Sequence, residues 1–223
     1  MSVWDVHISW RSNKMTHTLH RRGTEENLGN DFVVFAMSAK KINDEGSASK
    51  MKEFFGVVRR HNPINMGDMK TGNWSLFDEE IIEKNIQDTS IIHSVFKNIE
   101  DVAAVLKDLQ DADIGLSVVV SGLTGPVSNT CRKLGMTPAP HTIEYSLGIW
   151  GKVDLLPREE ILEISTMCGH GQVAFQLIEE MVSDIKRGRS TPEQAAKKLA
   201  EPCVCGIFNP VRAAELLRLM AKE

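Results

Sequence analysis

Residues 3–10 (VWDVHISW) alternate apolar and polar side chains, the pattern of a strand with one buried face. Residues 32–37 (FVVFAM) and 116–120 (LSVVV) are instead unbroken apolar runs rich in β-branched residues, as strands buried on both faces are. Residues 90–96 (SIIHSVF) and 141–150 (HTIEYSLGIW) complete an expected set of about five strands. Between them the period becomes helical. Residues 47–60 place Met51, Phe54, Phe55 and Val58 on one face. Residues 98–109 open on an Asn cap with acidic residues in the first turn, then gather Val102, Val105, Leu106 and Leu109. Residues 125–134 form a shorter helix, with Pro126 in its first turn and Gly135 past its end. Strands alternating with helices predict a helix-covered sheet, α/β or α+β in class, whose strand order the pattern leaves open.

From Pro157 the strand pattern stops. Residues 157–164 start a helix with Pro157 at its first turn and Glu159 and Glu160 behind it. Residues 173–185 gather Val173, Leu177, Ile178, Met181, Val182 and Ile185, and Gly188 ends the run between Arg187 and Arg189. Residues 191–199 open on Thr191-Pro192-Glu193 and residues 209–220 on Asn209-Pro210, each a cap followed by a first-turn proline. Four helices of this length predict a small C-terminal bundle. A boundary near residue 155 then separates a domain over 1–155, expected to bind a small molecule, from a metal-binding helical domain over 156–223.

Composition narrows the classes of function. The 223 residues are 42% hydrophobic and 25% charged, which argues for a folded globular protein of one large or two small domains. A net charge of −4 makes a poor general binder of nucleic acid. No apolar run approaches the ~18 residues of a membrane span, and the first residues lack a signal-peptide pattern. The expectation is a cytoplasmic protein that engages neither membrane nor nucleic acid. In a reducing compartment its four cysteines are not a disulfide framework. Cys131 sits within the short amphipathic helix and reads as packing.

The other three cysteines lie in glycine-flanked turns, Met167-Cys168-Gly169-His170-Gly171 and Pro202-Cys203-Val204-Cys205-Gly206, each ahead of an expected helix. The tail thus has two similar halves, a ligand loop feeding a helix N-terminus, where free N–H groups favour thiolate. Cys168, His170, Cys203 and Cys205 are the candidate metal ligands. Three soft thiolates and an imidazole suit zinc or an iron–sulfur cluster. The single residue within each pair departs from the two usual in zinc knuckles.

On these residues the tail resembles the helical [2Fe-2S] domain in small subunits of molybdenum hydroxylases, the group of xanthine dehydrogenase and aerobic carbon monoxide dehydrogenase. In that family a Cys-Gly-x-Cys loop leads into a helix, a proline-started helix, a Cys-x-Cys turn and a final helix. Here Cys168-Gly169 opens the loop, Gln172-Val173 leads into the helix, Thr191-Pro192-Glu193 starts the next, and Cys203-Val204-Cys205 is the turn. The resemblance covers about residues 167–217 and implies that Cys168, Cys203 and Cys205 are cluster ligands. It has departures. Gly171 stands where the family has its second cysteine, Cys-Val-Cys-Gly replaces Cys-Arg-Cys-Thr-Gly, and the ferredoxin-like half is absent. His170 is proposed from its chemistry alone. A Cys3His [2Fe-2S] centre, or a [4Fe-4S] cluster on three cysteines, would make the protein a redox or substrate-activating enzyme on a small molecule. The alternatives are zinc in a structural or assembly role and an enzyme with catalytic zinc. The implied partners are a small-molecule substrate or a redox protein, with assembly into a homo-oligomer left open.

Weaker candidates remain. Ser121-Gly122-Leu123-Thr124-Gly125-Pro126 follows a strand and precedes a helix, the context in which backbone N–H groups hold phosphate. Ser121, Gly122 and Gly125 are therefore candidate cofactor-binding residues, although neither full glycine-rich motif is present and an ordinary βα turn is the commoner reading of such a segment. His17 and His20, beside Arg21-Arg22-Gly23, suit a metal or proton relay on a helix, or a solvated loop. His7 alternates opposite Val6 and Ile8. His141 and Glu144 would point to opposite faces of an extended strand, which disfavours an acid/base pair.

Overall fold

The computed structural model describes residues 21–140 and 148–222. Elements follow in the order α1 (Glu25–Leu28), β1 (Phe32–Met37), α2 (Ser47–Arg59), β2 (Asn65–Asp68), β3 (Gly72–Asn73), α3 (Glu79–Lys84), β4 (Ile91–Phe96), α4 (Ile99–Ala112), β5 (Ser117–Ser121) and α5 (Thr124–Lys133). A 3-10 turn, Val153–Leu155, leads to α6 (Glu159–Ser165), α7 (Phe175–Lys186), α8 (Pro192–Ala200) and α9 (Pro210–Met220).

The five strands form one antiparallel sheet in the order β3-β2-β4-β1-β5. Strands β1 and β2 both run against β4, and β4 and β5 both run against β1. Two β-α-β units therefore interleave, the split β-α-β arrangement, with β3 added at one edge. Of the two classes expected, the antiparallel pairing selects α+β. Strands 32–37, 90–96 and 116–120 are present within a residue. The remaining two differ from expectation. Residues 3–10 and 141–147 lie outside the described residues, and residues 148–150 belong to no element. In their place stand β2 (NMGD) and β3 (GN), made of residues that strands usually avoid.

Both faces of the sheet are buried, which explains the unbroken apolar run of β1. Phe32, Val34 and Ala36 face α2 and α4, packing with Met51, Phe54, Phe55, Val102 and Val105. Val33 and Phe35, with Val95 of β4, face the tail and pack with Ile164, Met167, Phe208 and Leu217. Each such side chain, fully buried, contributes about 1.5–3 kcal/mol.

All seven helices read from the sequence are present, shifted by two residues or less at their starts. Asn98 caps α4 by accepting from the Asp101 N–H at 2.7 Å. Thr191 and Gln194 close a reciprocal capping box on α8, and Asn209 caps α9 through the Arg212 N–H at 2.9 Å. Among the described residues no helix is long and apolar enough to cross a membrane.

Candidate metal centre

The first cysteine loop begins where α6 ends. The chain tightens through Met167 N–H to Ile164 and Cys168 N–H to Ser165, both 3.2 Å, and turns back through Gly171 N–H to the Cys168 carbonyl at 2.9 Å. Gly171 has φ +66°, a conformation that side chains resist. The second loop follows α8 in the same manner. Cys203 N–H reaches Ala200 at 3.1 Å, and Gly206 N–H, with φ +78°, reaches the Cys203 carbonyl at 2.9 Å.

Packing of α6 to α9 brings the two loops to one place. Cys203 Sγ lies 3.9 Å from Cys205 Sγ, and Cys205 Sγ lies 3.8 Å from His170 Nδ1. Cys168 and Cys203 interact closely enough to shift each other's protonation. All three thiols are buried, at 0–2% exposure, whereas His170 is exposed. The thiols share their protons unequally. The Cys203 thiol, donating to Cys168, holds Cys168 down to about 6, helped by the Gln172 and His170 N–H groups and opposed by burial. Cys203 is pushed well above the ordinary thiol range by that bond, by Cys205 and by burial. One thiolate is therefore readily formed, and a second beside it is costly unless a cation joins them.

A tetrahedral ion with sulfur at ~2.3 Å sets neighbouring sulfurs about 3.8 Å apart. The Cys203–Cys205 separation is of that size. Among the described residues, however, no three or more His, Cys, Asp or Glu side chains already form a metal cage. The donors are gathered but not closed on a common point.

The sheet grips the second loop. Asn73 Nδ2 of β3 donates to the Cys203 carbonyl at 2.8 Å and to that of Ala200 at 3.3 Å. Asn65 Nδ2 of β2 donates to Phe208 at 2.8 Å. Arg21 joins the two loops, its guanidinium donating to the Met167 carbonyl at 3.3 Å and to that of Ile207. It is held in turn by Asp31, which also pairs with Arg212 at 2.9 Å and accepts from Asn209 at 3.0 Å. Burial pulls the Arg212 guanidinium down, and the Asp31 carboxylate opposes this. Arg21 Nε is buried with no hydrogen-bond partner among the described residues, an orphan donor on the residue that spans both loops.

The other candidates lie elsewhere. Ser121 ends β5, opposite Val33. Gly122 lies under Phe32, where a Cβ would stand 2.4 Å from the ring, so packing accounts for this glycine. Gly125 is in the first turn of α5, in open space. The cysteine loop rests on β2, three strands from β5 or about 14 Å by strand spacing. Cys131 packs against the α2–α4 core, and burial raises its thiol. His7, His17, His20, His141 and Glu144 lie outside the described residues.

The sequence pattern pointed to none of Arg21, Asp31, Asn65, Asn73 and Arg212. The available signal was polar. Asn65, Asp68 and Asn73 are 0–1% exposed, and buried amides and carboxylates need partners. Comparison with protein-family models, with curated proteins and with solved structures finds no match for this chain.

Proposed function

We propose that Cys168, Cys203 and Cys205, with His170 as fourth donor, hold an iron–sulfur centre, and that the protein is a redox or substrate-activating enzyme on a small molecule. The convergence of three buried thiols and one imidazole from two loops, with 34 residues between Cys168 and Cys203, carries this reading. Buried thiols crowded to this degree gain from an ion that neutralises them. The orphan Arg21 Nε–H is a donor of the kind that cluster sulfurs accept. The likeness of residues 167–217 to the helical [2Fe-2S] domain supports the same assignment. When bound, such a centre supplies electron transfer or Lewis acidity. The chain's part is to hold the donors, exclude water with the sheet, and set the loop spacing through Arg21 and Asn73.

A second reading, zinc on the same donors, fits the 3.9 Å sulfur separation equally well, since tetrahedral zinc and tetrahedral cluster iron set paired thiolates at the same edge. Iron, sulfide and zinc measured per chain in protein purified without oxygen decide between them. A brown protein with iron and sulfide in equal amounts is expected. Colourless protein with one zinc selects the second reading, and protein with no metal after reconstitution overturns both.

A further inference from the structure

The structure has a cavity of about 360 Å³ between the end of α6 and the start of α7, with Cys168 in its wall. We infer that this cavity admits a small uncharged molecule to the sulfur cluster, an inference that rests on the metal-centre reading. Cys168 is the one donor of the proposed set in its wall, since Cys203 and Cys205 are packed into the tail core and the Cys205 backbone is set against the sheet. Access to the thiols is therefore from the Cys168 side, next to the exposed His170. Leu162, Val173, Ala174 and Phe175 supply apolar wall, and Gln176 an amide. The Ser165 and Thr166 hydroxyls in the wall already donate to the Leu162 carbonyl, at 3.3 and 2.6 Å, and offer an incoming molecule only acceptors. Among the described residues no charged side chain lines the cavity. The nearby Arg22 and Glu159 are paired with each other at 2.6 and 2.7 Å. Against the buried Cys168 wall an ionised ligand would give up part of its hydration and find no counter-charge among the described residues, whereas a neutral one of modest size fits the volume usual for small-molecule sites.

The test alkylates the full-length chain, metal-free and metal-loaded, and reads each cysteine by peptide mass spectrometry. Iodoacetamide is the uncharged probe and iodoacetate the anionic one. In both, thiolate sulfur displaces iodide. In the metal-free chain the preference for iodoacetamide at Cys168 should exceed that at Cys131 by about tenfold. Ala174→Trp should slow iodoacetamide at Cys168 about tenfold and leave Cys131 unchanged. If that variant misfolds, shown by faster Cys203 and Cys205, then Phe175→Ala is the substitute and should speed the Cys168 reaction. Equal preference at the two cysteines, or a Cys168 rate indifferent to the folded variant, overturns the inference. Metal protection of Cys168 is scored separately. Without it the metal-centre reading fails, while the alkylation pattern still judges the cavity.

Discussion

Gly206 of the second cysteine loop lies directly on Gly67 of β2. A Cβ on Gly206 would stand 2.6 Å from the Gly67 nitrogen, and a Cβ on Gly67 would stand 2.8 Å from the Cys205 carbonyl oxygen. Two backbones meet where neither residue has room for a side chain. The sheet and the sulfur-bearing loop are thereby held in contact, with Asn73 and Asn65 adding hydrogen bonds on either side.

Gly67→Ala should push the Cys205 carbonyl away from β2. Overpacking of this kind costs about 1–3 kcal/mol. Denaturant unfolding should show that loss, together with a lower metal content per chain. Unchanged stability would mean that the loop is not seated on β2.

Cys203→Ala removes the thiol that contacts both Cys168 and Cys205. Iron, sulfide and zinc should all fall to background in this variant, and the tail should lose stability. Cys131→Ala, within the separate α2–α4 core, should retain wild-type metal content. Wild-type loading in the first variant, or loss in the second, would show that the wrong sulfurs were chosen.

Arg21 acts through the loops. Arg21→Lys keeps the charge but not the fork that reaches Met167, Ile207 and Asp31 together. A group of this kind behind metal ligands typically governs about 10–100-fold in affinity. Competition with a chelator of known affinity should reveal weaker binding, with helix content by circular dichroism unchanged. Equal affinity in the two proteins would assign Arg21 to stability alone.

Asp88 caps α2 from a distant loop, accepting from the Gly46 N–H at 3.0 Å and the Ala48 N–H at 2.8 Å. The Ala48 and Gly46 N–H groups hold its carboxyl below the usual carboxylate range. A carboxylate lowered on folding stabilises the native state above its unfolded pKa, about 3.9, and loses that contribution as pH falls through the native value. Asp88→Asn should therefore lower Tm at neutral pH, and the gap from wild type should shrink on acidification. A gap that stays constant down the same pH range would exclude the capping role.

Seven helices were legible because each carries its own signals; the short α1 and α3, of four and six residues, are too brief to show an apolar period. Thr191-Pro192-Glu193 and Asn209-Pro210 announce a start, and an apolar face repeats behind them. Strands β1, β4 and β5 were legible from apolar runs. Strands β2 and β3 were not, because Asn65, Gly67, Asp68 and Asn73 are turn residues by local preference. Their places are set by partners distant in the chain. Asn65 and Asn73 reach the 200–208 segment, Asp68 accepts from Ser90 at 3.0 Å, and Gly67 accommodates Cys205.

The candidate ligands were visible because cysteine and histidine in glycine-flanked turns are chemically conspicuous wherever they fall. Their meeting was not visible, nor was the Arg21–Asp31–Arg212 group that supports them. The linear sequence determined seven helical segments but not the short α1 and α3, three of the apolar runs that form strands, and which side chains are candidate donors to a soft metal. Only the tertiary structure decided that the strands run antiparallel, that the sheet's second face receives the tail, and that Cys205 and His170, 35 residues apart, come within 3.8 Å. Local propensity acts over a few residues. Convergence comes from burying apolar faces and satisfying buried polar groups across the whole chain.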